Sequence, residues 1–291
     1  PRMPAATRAS APAEFRPAPR DPAPAADARR APEVPPAVQA RAVDSLDALL
    51  AYPLDGEQAI PRLEMAAIPD AYADITATDR RKEVFLRMLL PLVLMENERL
   101  ERLRDRLRAA LDTPDGLLEE DTRGWLRELA REYRVDGDPL ASAAARENLL
   151  RRVDVVPPSL ALAQAATESG WGRSRFAREG HNLFGIWTWD ASKGIRPRQR
   201  QAGKTHQVRR FESLRESVRY YLHTLNSHSA YAPLRETRAA QRARGEPLDS
   251  LTLAEGLLRY SEKGREYVRL IQELIRYNDL AGYDRARLAA A

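Results

Sequence analysis

Pro158-Ser-Leu-Ala-Leu-Ala-Gln-Ala-Ala-Thr-Glu-Ser-Gly-Trp-Gly-Arg173 reads as a short helix that stops on an acid. Pro157 and Pro158 suit a first helical turn, where a missing N–H costs little. Leu160 to Ala166 is an uncharged run of good helix formers, which predicts burial on most sides. Gly170 and Gly172 then end the helix, as C-terminal glycines commonly do. Glu168 is left near the carbonyl end of a buried helix, with Trp171 close behind it. The negative end of the helix dipole and burial beside an indole both disfavour the ionised carboxylate and raise its pKa. A carboxyl that keeps its proton near neutral pH is what a glycosidase uses to protonate a leaving oxygen. The competing reading is a helix-end glutamate turned out to solvent.

The rest of the chain bounds that reading. With 291 residues there is room for one large domain or two modest ones. The longest apolar stretch, Val84 to Met95, is too short to span a bilayer and is interrupted by Arg87 and Pro91. Pro1 onward shows no apolar leader core. The absence of cysteine excludes disulfides, thiolate metal sites and cysteine nucleophiles. With four histidines and no metal-ligand spacing, no metal and no cofactor is expected; His223 and His228 read as a solvated helix end. A net charge of +5 comes with many interspersed acids, so it predicts tolerance of an anionic polymer rather than a nucleic-acid footprint.

Residues 1–40 hold ten of the 21 prolines and few large apolar side chains, so they read as a disordered, semi-stiff Pro/Ala-rich tether. Residues 41–152 read as a helical extension. It begins with a short amphipathic piece at Val43, Leu46, Leu49 and Leu50, and continues with a long helix over Arg80–Leu111 that Pro91 should kink or start. Gly116–Tyr133 and Asp138–Arg152 follow as helices, the latter with Asp138 as N-cap and Pro139 behind it. After the Glu168 helix, Asn182-Leu-Phe-Gly185 reads as an aromatic turn. Ile186–Phe211 reads as a β-hairpin, with Trp187-Thr-Trp189 on one arm and Thr205–Val208 on the other. Trp187 and Trp189 are candidates to stack on sugar rings or to pack across the strands. Helices over Ser213–Ser227, Leu248–Tyr260 and Arg265–Tyr277 complete a mainly α chain with a small β-lobe beside a cleft.

Leu162-Ala-Gln-Ala-Ala-Thr-Glu-Ser-Gly-Trp-Gly172, Asn182-Leu-Phe-Gly185 and Tyr260-Ser-x-x-Gly-x-x-Tyr-Val268 together resemble the glucosaminidase domains that cut bacterial cell-wall glycan. Arg152-Val-Asp-Val-Val-Pro-Pro-Ser-Leu160, Ser174-Arg-Phe-Ala-Arg-Glu-Gly180 and Leu89-Leu-Pro-Leu-Val-Leu-Met-Glu-Asn97 resemble its Bax-type branch. The resemblance covers roughly residues 60–285. It implies a lysozyme-like, mainly α fold with the catalytic domain over 153–285, and peptidoglycan glycan strands as the partner. It also implies a location in the periplasm or cell envelope. The family acid falls on Glu168, with Tyr260 beside it as a catalytic position. Ser169, Trp171, Asn182, Phe184, Gly185, Trp187 and Tyr267 fall on substrate-contacting or turn-shaping positions.

One departure stands out. Many relatives place a second glutamate in the hairpin, whereas here Ile186–Arg210 holds one acid, Asp190, followed by Glu212 and Glu216. Asp190, Glu212 and Glu216 are the candidate second acids, and Glu216 also suits an ordinary helix start. His206 is a candidate polar helper. Without a second carboxylate, the 2-acetamido group of the substrate can serve as nucleophile. Three outcomes stay open: a glucosaminidase, a lytic transglycosylase using the same acid, or a glycan-binding scaffold without turnover.

Overall fold

In the computed structural model, which describes residues 40–54, 58–196 and 207–290, the chain enters through β1 (Arg41–Ala42) and α1 (Leu46–Leu50). β2 (Leu63–Glu64) then pairs with β1 in parallel. A 3-10 turn over Asp70–Asp74 leads to α2 (Thr78–Asp112), which runs unbroken through Pro91. Proline there removes the donor that would reach the carbonyl of Arg87. The hydroxyl of Tyr52 replaces it, donating to Arg87 O at 2.7 Å. Pro91 is therefore neither the start of the helix nor a break in it.

Two predicted helices begin later than their sequence signals. A 3-10 turn at Asp115–Leu117 takes up Gly116, and α3 spans Glu120–Glu132. Asp138 does not cap a helix. Its carboxylate accepts from the amide of Leu140 and its carbonyl from those of Ala141 and Ser142, which closes a turn. α4 (Ala143–Arg152) starts after that turn, with Ser142 as the N-cap accepting from Ala145 N. α3 and α4 pack Trp125, Leu126, Leu129 and Leu149 against Leu103 and Leu107 on the second half of α2.

α5 (Pro158–Ser169) is the buried helix at the centre, with every residue from Pro158 to Ala166 inside. Its N-terminus is closed from far along the chain: the Asp284 carboxylate accepts from Ser159 N and Oγ, each at 2.8 Å. At its other end Gly170 takes the left-handed conformation (φ 58°), and the amides of Gly170 and Trp171 both return to Ala166 O. α6 (Arg175–Gly180), capped by Ser174, was not separately expected.

The β-lobe has three strands where two were expected. β3 (Trp187–Thr188), β4 (Gly194–Ile195) and β5 (Gln207–Arg209) lie in the order β3-β5-β4, with Trp187 and Ile195 both opposite Val208. His206, Thr205 and most of the tether over 1–40 lie outside the described residues.

α7 (Leu214–Ser227) follows with Ser213 as its cap, then α8 (Ala232–Ala243), which the sequence reading passed over. The helix expected over Leu248–Tyr260 is shorter: α9 (Ser250–Ala254) tightens into a 3-10 turn at Glu255–Leu257. α10 (Arg265–Tyr277) and a 3-10 turn over Leu280–Arg285 end the fold, which is mainly α-helical. Ile60 bridges Leu288, tying the two ends of the fold together. One apolar core runs from Leu49 through α2, α5, α7 and α10 to Ala286. Much of the 41–152 extension thus shares the core of the 153–285 unit. Among the described residues no helix is long and apolar enough to cross a membrane.

Candidate active site

α5 is buried from Pro158 to Ala166 and its last turn is half-buried, so Glu168 sits there with little water around its carboxyl. Glu168 Oε1 accepts a hydrogen bond from Tyr267 Oη at 2.8 Å. Burial pushes the carboxyl up to about 7 even though the Tyr267 bond pulls the other way. The phenols of Tyr221, Tyr231, Tyr260 and Tyr267 all sense its charge, and burial holds each of them well above its ordinary value. At neutral pH these four groups are uncharged. The outward-turned reading of Glu168 does not hold.

The acid sits against the aromatic turn. A Cβ added at Gly185 (φ 64°) would stand 3.0 Å from Glu168 Oε2, so the missing side chain leaves room beside that oxygen. Asn182 builds the turn. Its Nδ2 donates to Ile186 O (2.7 Å) and Arg209 O (2.8 Å), and its Oδ1 accepts from Ile186 N. Phe184 is fully buried and stacks on Tyr221 at 3.9 Å, so it backs the site and presents no ring to a ligand. Tyr260 is buried too. Its hydroxyl donates to Phe184 O at 2.9 Å and its ring stacks on Tyr267. Tyr260, expected as a catalytic position, thus holds the turn at Phe184, and Tyr267 on α10 makes the hydrogen bond to the acid.

Ser169 and Trp171 are also drawn inward. The Ser169 hydroxyl donates to Ala165 O and accepts from Gly172 N, both in the buried turn, so it shapes that turn and faces no cleft. Trp171 (φ 55°) packs edge-on to Phe85 and beneath Lys82, and its carbonyl accepts from Tyr72 Oη at 2.7 Å. The indole thus fastens the Glu168 turn to α2. On the β-lobe, Thr188 is buried while Trp187 is half-buried and Trp189 exposed, which puts the two indoles on the open side.

Of the candidate second acids, Asp190 and Glu216 are engaged in their own turns. Asp190 is exposed and caps its own turn, accepting from Ser192 N and Oγ; those bonds hold it below the usual carboxylate range. Glu216 Oε2 accepts from Glu212 N at 2.6 Å, while Ser213 Oγ accepts from Glu216 N. This is a helix-start arrangement close to a capping box. Glu212 itself is exposed.

Two residues of consequence were not singled out from the sequence. Gln164 is fully buried one turn before Glu168, accepting from Tyr221 Oη (2.6 Å) and donating to Tyr267 Oη (3.0 Å). The signal was available: it is the single polar residue between Leu160 and Ala166, and the i,i+4 spacing puts it on the face of Glu168. Glu96, fully buried on α2, is held by Arg99 (2.8 Å), Arg215 (2.7 Å) and Arg219 (3.0 Å).

A family model described as mannosyl-glycoprotein endo-beta-N-acetylglucosaminidase matches residues 143–280, which include Gln164, Glu168, the aromatic turn and Tyr267. Protein Bax of Escherichia coli (strain K12) is 32% identical over 203 residues, covering 69% of this chain and 71% of that protein. The chain belongs to the Bax-type glucosaminidase family. No solved structure matches it. Membership points in general terms to a glycosidase acting on peptidoglycan-related glycan. The Bax-like segments have clear places in the fold. Asp154 of the Arg152–Leu160 segment accepts from Arg242 at 2.9 Å and sits beside the buried Arg238. Asn97 grips the backbone of Val156 through both ends of its amide. These bonds fix where α5 begins, and hence where Glu168 ends up.

Proposed function

We propose that this chain hydrolyses the β-1,4 bond between N-acetylglucosamine and N-acetylmuramic acid in peptidoglycan, with Glu168 as the general acid. The observation that carries the reading is the Glu168 carboxyl, half-buried against tyrosines, raised to about 7 and held by Tyr267. At or below neutral pH it keeps a proton to give to the leaving oxygen. Asp190, Glu212 and Glu216 are exposed or bound within their own turns, which favours a one-acid route. In that route the carbonyl oxygen of the substrate's 2-acetamido group attacks C1 as Glu168 protonates the departing oxygen. Water then opens the cyclic intermediate, returning its proton to the Glu168 carboxylate. Trp187 and Trp189 offer stacking faces for sugar rings at the open side of the β-lobe. A peptidoglycan substrate puts the enzyme in the periplasm or cell envelope.

The same single acid favours one other reading. A lytic transglycosylase needs no activated water, because the muramic C6 hydroxyl attacks internally and leaves a 1,6-anhydro end. A digest of purified sacculi, analysed by mass spectrometry before and after borohydride reduction, separates the outcomes. Reducing N-acetylglucosamine ends are expected, and Glu168→Gln should lower turnover by about 10²–10⁴-fold. Anhydro-muramic ends would replace hydrolysis by transglycosylation. Retained sacculus binding without product from the wild-type chain would leave a glycan-binding scaffold. Wild-type activity should also fall as pH rises through about 7, where Glu168 loses its proton.

A further inference from the structure

A primary amide buried inside a helix is costly unless both its ends are bonded. Gln164 is bonded at both ends, and the direction of each bond matters. Its Oε1 accepts from Tyr221 Oη (2.6 Å) and its Nε2 donates to Tyr267 Oη (3.0 Å). Both phenols are clamped by stacked rings: Tyr221 by Phe184 at 3.9 Å, Tyr267 by Tyr260 at 5.4 Å. A phenol has one proton to donate. With the amide already donating into its oxygen, Tyr267 turns that proton to Glu168 Oε1, 2.8 Å away. Were the amide reversed, its oxygen would face Tyr267 and compete for the same proton. The proton of Tyr221 is what prevents the reversal.

We propose that Gln164 is a positioning residue that decides which oxygen of Glu168 carries the acidic proton. Turned by Tyr221, it commits Tyr267 to Oε1, so the proton of the neutral acid sits on Oε2. That is the oxygen beside Gly185, where a missing side chain leaves space. The inference rests on Glu168 being the acid of the proposed reaction. The groups facing Glu168 are the phenols of Tyr221 on α7, Tyr231 on the turn before α8, and Tyr260 and Tyr267 beside and on α10. All four are neutral through the working pH range, so changes in its titration report hydrogen bonding.

The test follows the Glu168 titration directly by NMR of ¹³C-labelled glutamate carboxyls, with its signal assigned by loss in Glu168→Gln. This readout is independent of turnover, so an inactive enzyme and a wrong positioning role give different results. Tyr267→Phe removes the bond to the carboxylate and should raise the midpoint by about one pH unit. Tyr221→Phe removes a hydroxyl bonded to the amide and not to the carboxyl, yet it should raise the midpoint similarly, because the freed amide turns and captures the Tyr267 proton. Tyr221→Phe/Tyr267→Phe should go no higher than Tyr267→Phe alone. Adding Gln164→Met to Tyr221→Phe removes the competing acceptor and should restore the wild-type midpoint, whereas adding it to Tyr267→Phe should not. A packing role for Gln164 predicts no rescue. An unmoved midpoint in Tyr221→Phe, or an additive double variant, would overturn the proposal without need of the methionine change.

Discussion

Glu96 lies wholly inside the protein and Glu168 partly so, and the two carboxyls share one ordinary pKa but have opposite fates. Burial pushes both upward. Around Glu168 nothing stronger than one phenol opposes it, and the carboxyl settles at about 7. Around Glu96 the hydrogen bond of Arg219 and the charges of Arg219, Arg99 and Arg215 overcome burial and bring it to about 2. Depth in the protein does not decide the charge of a carboxyl; the neighbours do. The Glu96 cage joins α2 to α7, and Arg215 extends it to Glu64 on β2, so the cationic side chains that could quench an acid are spent on structure. The tyrosine-lined end of α5 is left to hold a proton.

The largest effect that would break this contrast is expected at Glu96. Glu96→Gln leaves three guanidinium groups facing a neutral amide and should cost roughly 3–5 kcal/mol of stability near neutral pH. A folded-state pKa below the ordinary value gives stability that is present above the unfolded pKa and lost as pH falls towards the folded one. The gap between wild type and variant should therefore be full above pH 4.5 and close as pH falls towards about 2. Urea melts across that window check it. A gap that stays constant with pH would mean the arginines contribute packing rather than charge.

Glu168 should behave in the opposite sense. Its raised pKa favours the folded state below the ordinary glutamate value, and that advantage disappears as pH rises through about 7. Glu168→Gln escapes the loss, so above pH 7 the variant should be more stable than wild type by up to about 3 kcal/mol. Below pH 4.5 the two should match. Thermal melts at pH 4 and pH 8 decide the sign. Equal stability at both would mean that the carboxyl is hydrated and titrates as an exposed one.

Part of this contrast was legible in the sequence. The Pro158 start, the Gly170 stop and the position of Glu168 all follow from local rules, and the structure agrees with them. So do the end of α7 at Ser227 and the span of α10. What could not be read locally is where side chains finish. Pro91 survives in a helix because Tyr52, far earlier in the chain, supplies the missing donor. Asp138 looked like a cap but is used one turn too early, and Ser142 takes the role. Phe184, Tyr260, Ser169 and Trp171 were legible as a cluster, yet the first three turn into the core, Trp171 lies half-buried against Phe85, and Tyr267 takes the acid. Glu96 lay inside a recognised segment, but two of its three arginines come from a helix more than a hundred residues on.

Gly185→Ala sharpens the Glu168 side of the comparison. At φ 64° an alanine pays a left-handed backbone penalty of roughly 1–2 kcal/mol, and its methyl would press on Oε2 from 3.0 Å. Stability should drop by about that amount. Activity should fall about tenfold or more as the carboxyl is pushed from its position. Gly170→Ala is the control: it meets a similar backbone penalty (φ 58°) with nothing near its added methyl. If both variants lose activity equally, strain at the turn and not contact with the acid is responsible.

The smallest effect is expected at Asp190, and it tests whether the acid at α5 works alone. Asp190 is the one acid between Ile186 and Arg210, and it is exposed, with its charge taken up by Ser192 and Lys193. Asp190→Asn keeps a side-chain oxygen for the Ser192 amide, so the turn should persist and the fold should be unaffected. Turnover of sacculi should stay within about threefold of wild type, since no step of the one-acid route passes through this residue. A loss of 10²-fold or more, with unchanged substrate binding, would bring a second carboxylate into the reaction. Azide would then sharpen the answer: rescue of Asp190→Asn by an added anion would mark the residue as a base or nucleophile. No rescue with normal turnover leaves the 2-acetamido group as the attacking partner of Glu168.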